Sequence, residues 1–176
     1  MKRIKWLGFI VICSILVGCS SSANLDEVIV DNNEGYEFQD SVIGQIRVEY
    51  VSGSSNTGSL GGLGLTNKEF KKSLQESLKS YYLLAIENKP SYDLTVSFLN
   101  VDYPSMGIDL YFDSQVRYVL VRRSDKKVVF DKVIKSKGVA TVTDAFFANK
   151  RLNIVAERSA HRNIQLFLVE LEQKHF

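Results

Sequence analysis

The chain has 176 residues, 45% of them hydrophobic and 24% charged, with 22 Lys and Arg against 20 Asp and Glu. That lies in the ordinary globular range and leaves room for one domain plus a targeting segment, not for a second domain. Two cysteines and two histidines all but exclude a Cys/His nucleophile or a histidine-rich zinc site.

The first residues divide cleanly. Lys2, Arg3 and Lys5 make a basic start, Trp6 to Leu16 is apolar, and Gly18 and Cys19 end the run. This is the layout of a secretory signal, and the run is too short for a bilayer span, which needs about 20 apolar residues. Leu16-Val17-Gly18-Cys19 resembles the lipobox of bacterial lipoproteins. The resemblance implies cleavage before Cys19, whose thiol carries diacylglycerol, and Ser20, where inner-membrane lipoproteins often carry Asp, implies the outer membrane facing the periplasm. Residues 1–18 are thus expected to be removed. Without the three basic residues of that leader the chain carries 19 Lys and Arg against 20 acidic residues, about one net negative charge. Cys13 leaves with it, so Cys19 is the sole remaining cysteine and no internal disulfide is expected, although the compartment would permit one.

Residues 19–42 are expected to form a lipidated, acidic tether. Asp26, Glu27, Asp31, Glu34, Glu37 and Asp40 occur between 20 and 46 without a Lys or Arg. Val28-Ile29-Val30 within it suggests at most a short edge strand. The remaining 43–176 is expected to be one periplasmic domain. Ile46, Val48 and Tyr50 alternate with polar residues as in a strand with one wet face. A Gly/Ser-rich loop fills 52–64. Thr66-Asn67-Lys68-Glu69 then forms a capping box, followed by Phe70, Leu74, Leu78, Tyr81 and Ala85 at helical spacing, with a stop at Asn88 to Pro90.

Tyr92, Leu94, Val96 and Phe98 alternate next. Ile108 to Arg123 and Val128 to Ile134 read as a β-hairpin around the polar turn Ser124–Lys127. Gly138 to Asn149 has no clear pattern. Lys150 to Gln173 is the strongest helix, with Leu152, Val155, Ala156, Ala160, Ile164, Phe167 and Leu171 on one stripe. The order β-α-β-β-β-α predicts an α+β two-layer sandwich, a mostly antiparallel sheet with two helices on one face.

Leu16 to Cys19, the stretch Ile46 to Leu65 leading into Asn67–Leu84, and Ala156-Glu157-Arg158-Ser159-Ala160 running into Asn163-Ile164 together resemble the YajG-like small lipoproteins of Gram-negative bacteria. The general plan also resembles other small envelope lipoproteins, including auxiliary subunits of lipid-transport machines. The resemblance implies an envelope location and little about mechanism.

No stretch carries a clear catalytic signature. The glycine-rich loop precedes a helix, where phosphate can bind, but it has neither the P-loop nor the dinucleotide-binding order. Its Gly61, Gly62 and Gly64 are instead candidates for partner contact, since loops on rigid scaffolds often carry function. The hairpin Arg122 to Lys137 holds seven basic residues, among them Arg122, Arg123, Lys126 and Lys127, against Asp125 and Asp131. It is either a contact patch for an anionic surface or a row of lysines that protects a sheet edge from aggregation. His161 is expected to be solvated. Asp102, Asp109 and Asp113 are expected to be turn and surface residues.

The expectation is therefore a non-enzymatic lipoprotein with no cofactor or metal. It would be held to the membrane by the lipid on Cys19 and would serve an envelope protein or complex; nucleic acid is the wrong partner for this compartment. The alternative is a carrier or chaperone for an apolar ligand, motivated by Tyr92, Phe98, Tyr103, Tyr111, Phe112, Tyr118, Phe130, Phe146 and Phe147, if more of these were present than a core requires.

Overall fold

The structure, a computed structural model, describes residues 23–33, 35–53, 65–86, 89–102 and 109–176, with the backbone alone at 101 and 102. A short 3-10 turn, Leu25–Glu27, is followed by β1 (Ile46–Gly53), α1 (Asn67–Ser80), β2 (Tyr92–Asp102), β3 (Leu110–Arg122), β4 (Val128–Ala140) and α2 (Ala148–Glu172). The strands form one sheet in the order β1-β2-β3-β4. β2 pairs antiparallel with β3, and β3 with β4. β1 and β2, joined through α1, run parallel, so the sheet is mixed.

Alternation decides which face is covered. Leu110, Phe112, Ser114, Val116, Tyr118 and Leu120 of β3 are buried, and their odd-numbered neighbours are not. Both helices lie on that face. Phe70 of α1 meets Phe98 of β2 edge to face with ring centroids 4.9 Å apart, and Phe167 of α2 stacks on Tyr118 at 4.2 Å. Phe98 pairs in register with Val116, two residues from Tyr118, so the two contacts share a face. The result is the α+β two-layer sandwich that the element order predicts.

The N-terminus of α1 is built as its sequence requires. Thr66 Oγ1 accepts the Glu69 N–H at 3.2 Å, and Glu69 Oε2 accepts the Thr66 N–H at 2.7 Å. Its end differs from the expectation. The spacing of Tyr81 and Ala85 predicts a helix that runs on toward Pro90, whereas α1 stops at Ser80. The Leu83 N–H donates to Leu78 O at 2.8 Å and the Tyr82 N–H to Lys79 O at 3.0 Å, a Schellman close with Tyr82 at φ +59°. The reason lies in the sheet. The Gly44 N–H donates to Tyr82 O, the Ile46 N–H to Leu83 O and the Ala85 N–H to Ile46 O, so residues 82–85 cover the start of the β1 edge. Those backbone bonds outweigh one more helical turn.

Residues 23–42 also depart from the tether read from composition. Val28, Val30 and Val42 are fully buried, while Asp26, Glu27, Asp31, Glu37 and Asp40 face outward. The acidic count describes only the outer side of a packed strap. Val28-Ile29-Val30 makes no strand: the Val30 N–H donates to Ser77 Oγ at 2.9 Å and Val30 O accepts from Ser80 Oγ at 3.0 Å, which fastens the strap to α1. Farther on, Tyr36 stacks on Tyr81, the Glu37 N–H donates to Glu172 Oε1 and the Phe176 N–H to Gln39 Oε1, which ties the strap to the end of α2.

Gly138-Val139-Ala140, unclear in sequence, completes β4. A Cβ at Gly138 would lie 2.0 Å from Val155 O and 2.8 Å from the Ser159 nitrogen. Only glycine lets α2 come so close to this strand. Ser136, Ala156, Ser159 and Ala160 are buried beside it, and their small side chains extend the close approach.

Candidate functional site

Of the residues singled out in sequence, Cys19, Gly61, Gly62, Gly64 and Tyr103 lie outside the described residues, as does the side chain of Asp102. The hairpin is described, and its charge is largely spent within the fold. Arg123 Nε lies 3.3 Å from Asp93 Oδ2, and Arg47 Nη2 lies 2.8 Å from the other oxygen of that carboxylate. Arg122 pairs with Asp125 in the turn, and Lys132 with Glu170 of α2. Arg117 grips Asp131 through two parallel bonds, which hold the Asp131 carboxyl below its usual range. The Lys137 ammonium sits 4.5 Å from the centre of the Tyr111 ring. Among the described residues, Lys126, Lys127 and Lys135 hold no ion pair, so the outward field is weaker than composition suggests. β4 is an edge strand of the sheet, and its exposed Asp131, Lys132, Lys135 and Lys137 suit an edge kept from pairing with another chain.

The most concentrated polar cluster is interior. Ser114, Ser136 and Ser159 have their hydroxyls 2.8 to 3.2 Å apart, and Asn163 Nδ2 donates to Ser136 Oγ at 3.0 Å. Ser159 and Asn163 are fully buried, and Ser114 and Ser136 nearly so. These hydroxyls satisfy one another and set the spacing between α2 and the sheet. Asp102 and Asp113 stand opposite each other in the β2–β3 register, with Asp113 exposed. His161 is only partly exposed, unlike the solvated histidine expected, and its Nδ1 is withdrawn from water. His175 lies at the surface, where its Nδ1 is 3.0 Å from Gln39 Nε2. Among the described residues no group of three His, Cys, Asp or Glu could hold a metal ion.

The aromatic supply goes mainly into the core. Tyr92, Phe98, Phe112, Tyr118 and Phe130 are buried in the core, whereas Tyr111, Phe146 and Phe147 are exposed. An apolar carrier would need such rings around an enclosed space.

One surface stands out where the strap crosses α2. The Asn24 N–H donates to Glu157 Oε1 at 2.5 Å. Glu157 is 7% exposed, and burial pushes its carboxyl above the usual glutamate range. An open cleft of about 610 Å³ runs from there to the start of α2, lined by Asn24, Glu27, Asn153, Lys150, Glu157 and Phe147. At its far end Phe146 and Phe147 are 88% and 73% exposed, their ring centroids 5.6 Å apart and nearly perpendicular. Phe147 occupies the N-cap of α2 and makes no capping bond with its side chain. Ser, Thr, Asp or Asn would stabilise that position by about 1 kcal/mol.

The connection that presents these rings is pinned. Arg158 donates to both oxygens of Asp144, at 2.6 and 3.0 Å, and to Val139 O at 2.7 Å. The Thr141 N–H also donates to Asp144. The Arg158 bonds, followed by that amide, hold the Asp144 carboxyl far below the usual range. The sequence singles out Phe146 and Phe147 only among the aromatics of a possible apolar-ligand carrier; it does not reveal the cleft, because 138–149 has no periodicity and the acidic composition of the strap conceals its packing.

No family model matches the chain, and no curated protein matches it in sequence. Solved structures do share the fold. A Xanthomonas campestris protein of the DUF330 family superposes with a TM-score of 0.54 at 13% identity, over 76% of this chain and 89% of its own. A Caulobacter crescentus CB15 protein described as a candidate lipoprotein gives 0.52 at 14% identity, over 75% and 90%. Neither carries a YajG-like description, and neither description names an enzyme. At such identities the likeness establishes the fold, one shared with a protein described as a lipoprotein.

Proposed function

We propose that this chain is a non-enzymatic bacterial lipoprotein, anchored through Cys19 in the outer membrane, facing the periplasm and serving another envelope protein or complex. The observation that carries the reading is the placement of Leu16-Val17-Gly18-Cys19 between an apolar leader and the packed domain, whose first described buried residue is Ala23. The lipoprotein description of a protein with the same fold supports it. So does the burial of Tyr92, Phe98, Phe112, Tyr118 and Phe130 in the core, which favours surface contact over carriage of an apolar ligand. Candidate contact residues remain Gly61, Gly62 and Gly64 of the loop and the unpaired Lys126 and Lys127 of the hairpin tip; Arg122 and Arg123 are partly engaged within the fold.

Full-length protein and a Cys19→Ala variant are to be compared by membrane fractionation, followed by in-cell crosslinking from the loop and the hairpin. The expected result is loss of the variant from the membrane fraction and one dominant crosslinked envelope protein. Retention of the variant in the membrane would overturn the anchor. A diffuse set of abundant neighbours would overturn the accessory role.

A further inference from the structure

We propose that Phe146 and Phe147 insert into the interfacial layer of the bilayer that holds Cys19, so that the domain rests on the membrane through an aromatic contact as well as through its lipid. The inference rests on the lipoprotein reading above.

The argument begins with reach. Asn24 is fastened to Glu157, in the middle of α2. Asn24 lies five residues after Cys19, a stretch that spans no more than about 17 Å even when fully extended. From Phe147 to Glu157 the helix climbs ten residues, about 15 Å. A cysteine held at the bilayer surface therefore keeps the N-terminal end of α2 within reach of that surface. The cleft joins the two points directly, since Asn24 and Phe147 line it together.

The chemistry at that end matches a bilayer boundary. Two phenyl rings are largely exposed and meet each other edge to face. Val142, in the same connection, is about half exposed, and the exposed Lys150 follows in the first turn of α2. Apolar rings with a long cationic side chain beside them suit the headgroup boundary, with the rings below and the ammonium at the phosphates. The one carboxylate within the connection, Asp144, is neutralised by Arg158 and so does not repel an anionic surface. That same ion pair holds the rings in place, so little order need be lost on insertion.

The diacylglycerol on Cys19 supplies the anchor, and a second contact fixes how the domain sits on the surface and adds to the hold. The choice of Phe147 for an N-cap, where a polar residue would serve the helix better, is also accounted for by a demand from outside the fold.

The test uses full-length acylated protein in vesicles of phosphatidylethanolamine and phosphatidylglycerol. Trp6 is the single tryptophan of the chain and lies in the leader, so Phe147→Trp gives the mature protein one reporter. Phe146→Trp is the duplicate, and Tyr82→Trp, at an exposed site after α1, is the control. The expected result is a blue-shifted emission at 146 or 147, quenched several-fold more than at 82 by lipids brominated along their acyl chains. Water-like emission at both positions, with acylation of Cys19 confirmed by mass spectrometry, overturns the aromatic contact and leaves the anchor intact. Protection of both positions only when another envelope protein is present also overturns it, in favour of a protein occupant. A mature protein without an acyl mass on Cys19 overturns the lipoprotein reading and this inference with it.

Discussion

Tyr118 donates its hydroxyl hydrogen to Oδ1 of Asn163 at 2.7 Å, and neither side chain reaches water. Burial raises the phenol pKa well above its ordinary value, so the hydroxyl stays a donor across the physiological range. Asn163 passes the chain on, donating to Ile134 O at 3.2 Å and to Ser136 Oγ at 3.0 Å. One line of bonds thus joins β3, α2 and β4 where an all-apolar core would specify their spacing less sharply.

Tyr118→Phe keeps the ring and its stack on Phe167 but leaves Asn163 Oδ1 buried without its donor. The expected loss is about 1–3 kcal/mol of stability, read by urea unfolding. Combining it with Asn163→Leu should cost less than the sum of the two single changes, because the orphaned acceptor is gone. Full additivity would show that the bond carries no coupling.

Gly138→Ala should be more damaging than any other single methyl added to β4. The new carbon falls 2.0 Å from a helix carbonyl, and backbone rather than a movable side chain must give way. The expected cost is about 3 kcal/mol or more, or failure to fold. Ser136→Ala, two residues earlier on the same strand, should fold and lose about 1 kcal/mol through its hydroxyl bonds alone.

These two sites also mark what could be read from sequence. Alternation along Leu110–Leu120 and the stripe of α2 fix the sandwich, because burial of an apolar face is recorded in period. The Thr66–Glu69 box fixes the start of α1 for the same local reason. The end of α1 is not legible, because it depends on the β1 edge, an element far away in sequence. The strap is not legible either: its acidic residues dominate composition, while Val28, Val30 and Val42 are too few to make a period. The cleft follows from where that strap lands on α2 and is hidden with it, so Phe146 and Phe147 stand out in the sequence as aromatics but not as its rim.

Tyr82 offers a test of the helix end. It holds φ +59° at the position after the α1 cap, where a side chain is strained by about 1–2 kcal/mol, and its own side chain is 71% exposed. Tyr82→Gly should relieve the strain, less the added freedom of glycine in the unfolded chain, for a net gain of about 0.5–1 kcal/mol. Tyr82→Ala should not gain. A stabilised alanine variant and an unchanged glycine variant would refute the backbone account.

The strap junction makes stability depend on pH in two opposing ways. Glu157 has its folded pKa raised, chiefly by burial. Its contribution is therefore complete below the ordinary glutamate value of about 4.3 and is lost as pH rises through the folded value. Asp144 is the reverse: Arg158 lowers its folded pKa, so its contribution is present above the ordinary aspartate value of about 3.9 and is lost as pH falls toward the folded value. Glu157→Gln can still accept the Asn24 N–H, and it should gain stability relative to wild type near pH 7 while matching it near pH 4. Asp144→Asn should lose stability near pH 7, with the deficit narrowing as both proteins are taken into acid. Parallel urea titrations at the two pH values decide it, since a Glu157→Gln variant that is equally shifted at both would assign the effect to altered packing and not to the buried charge.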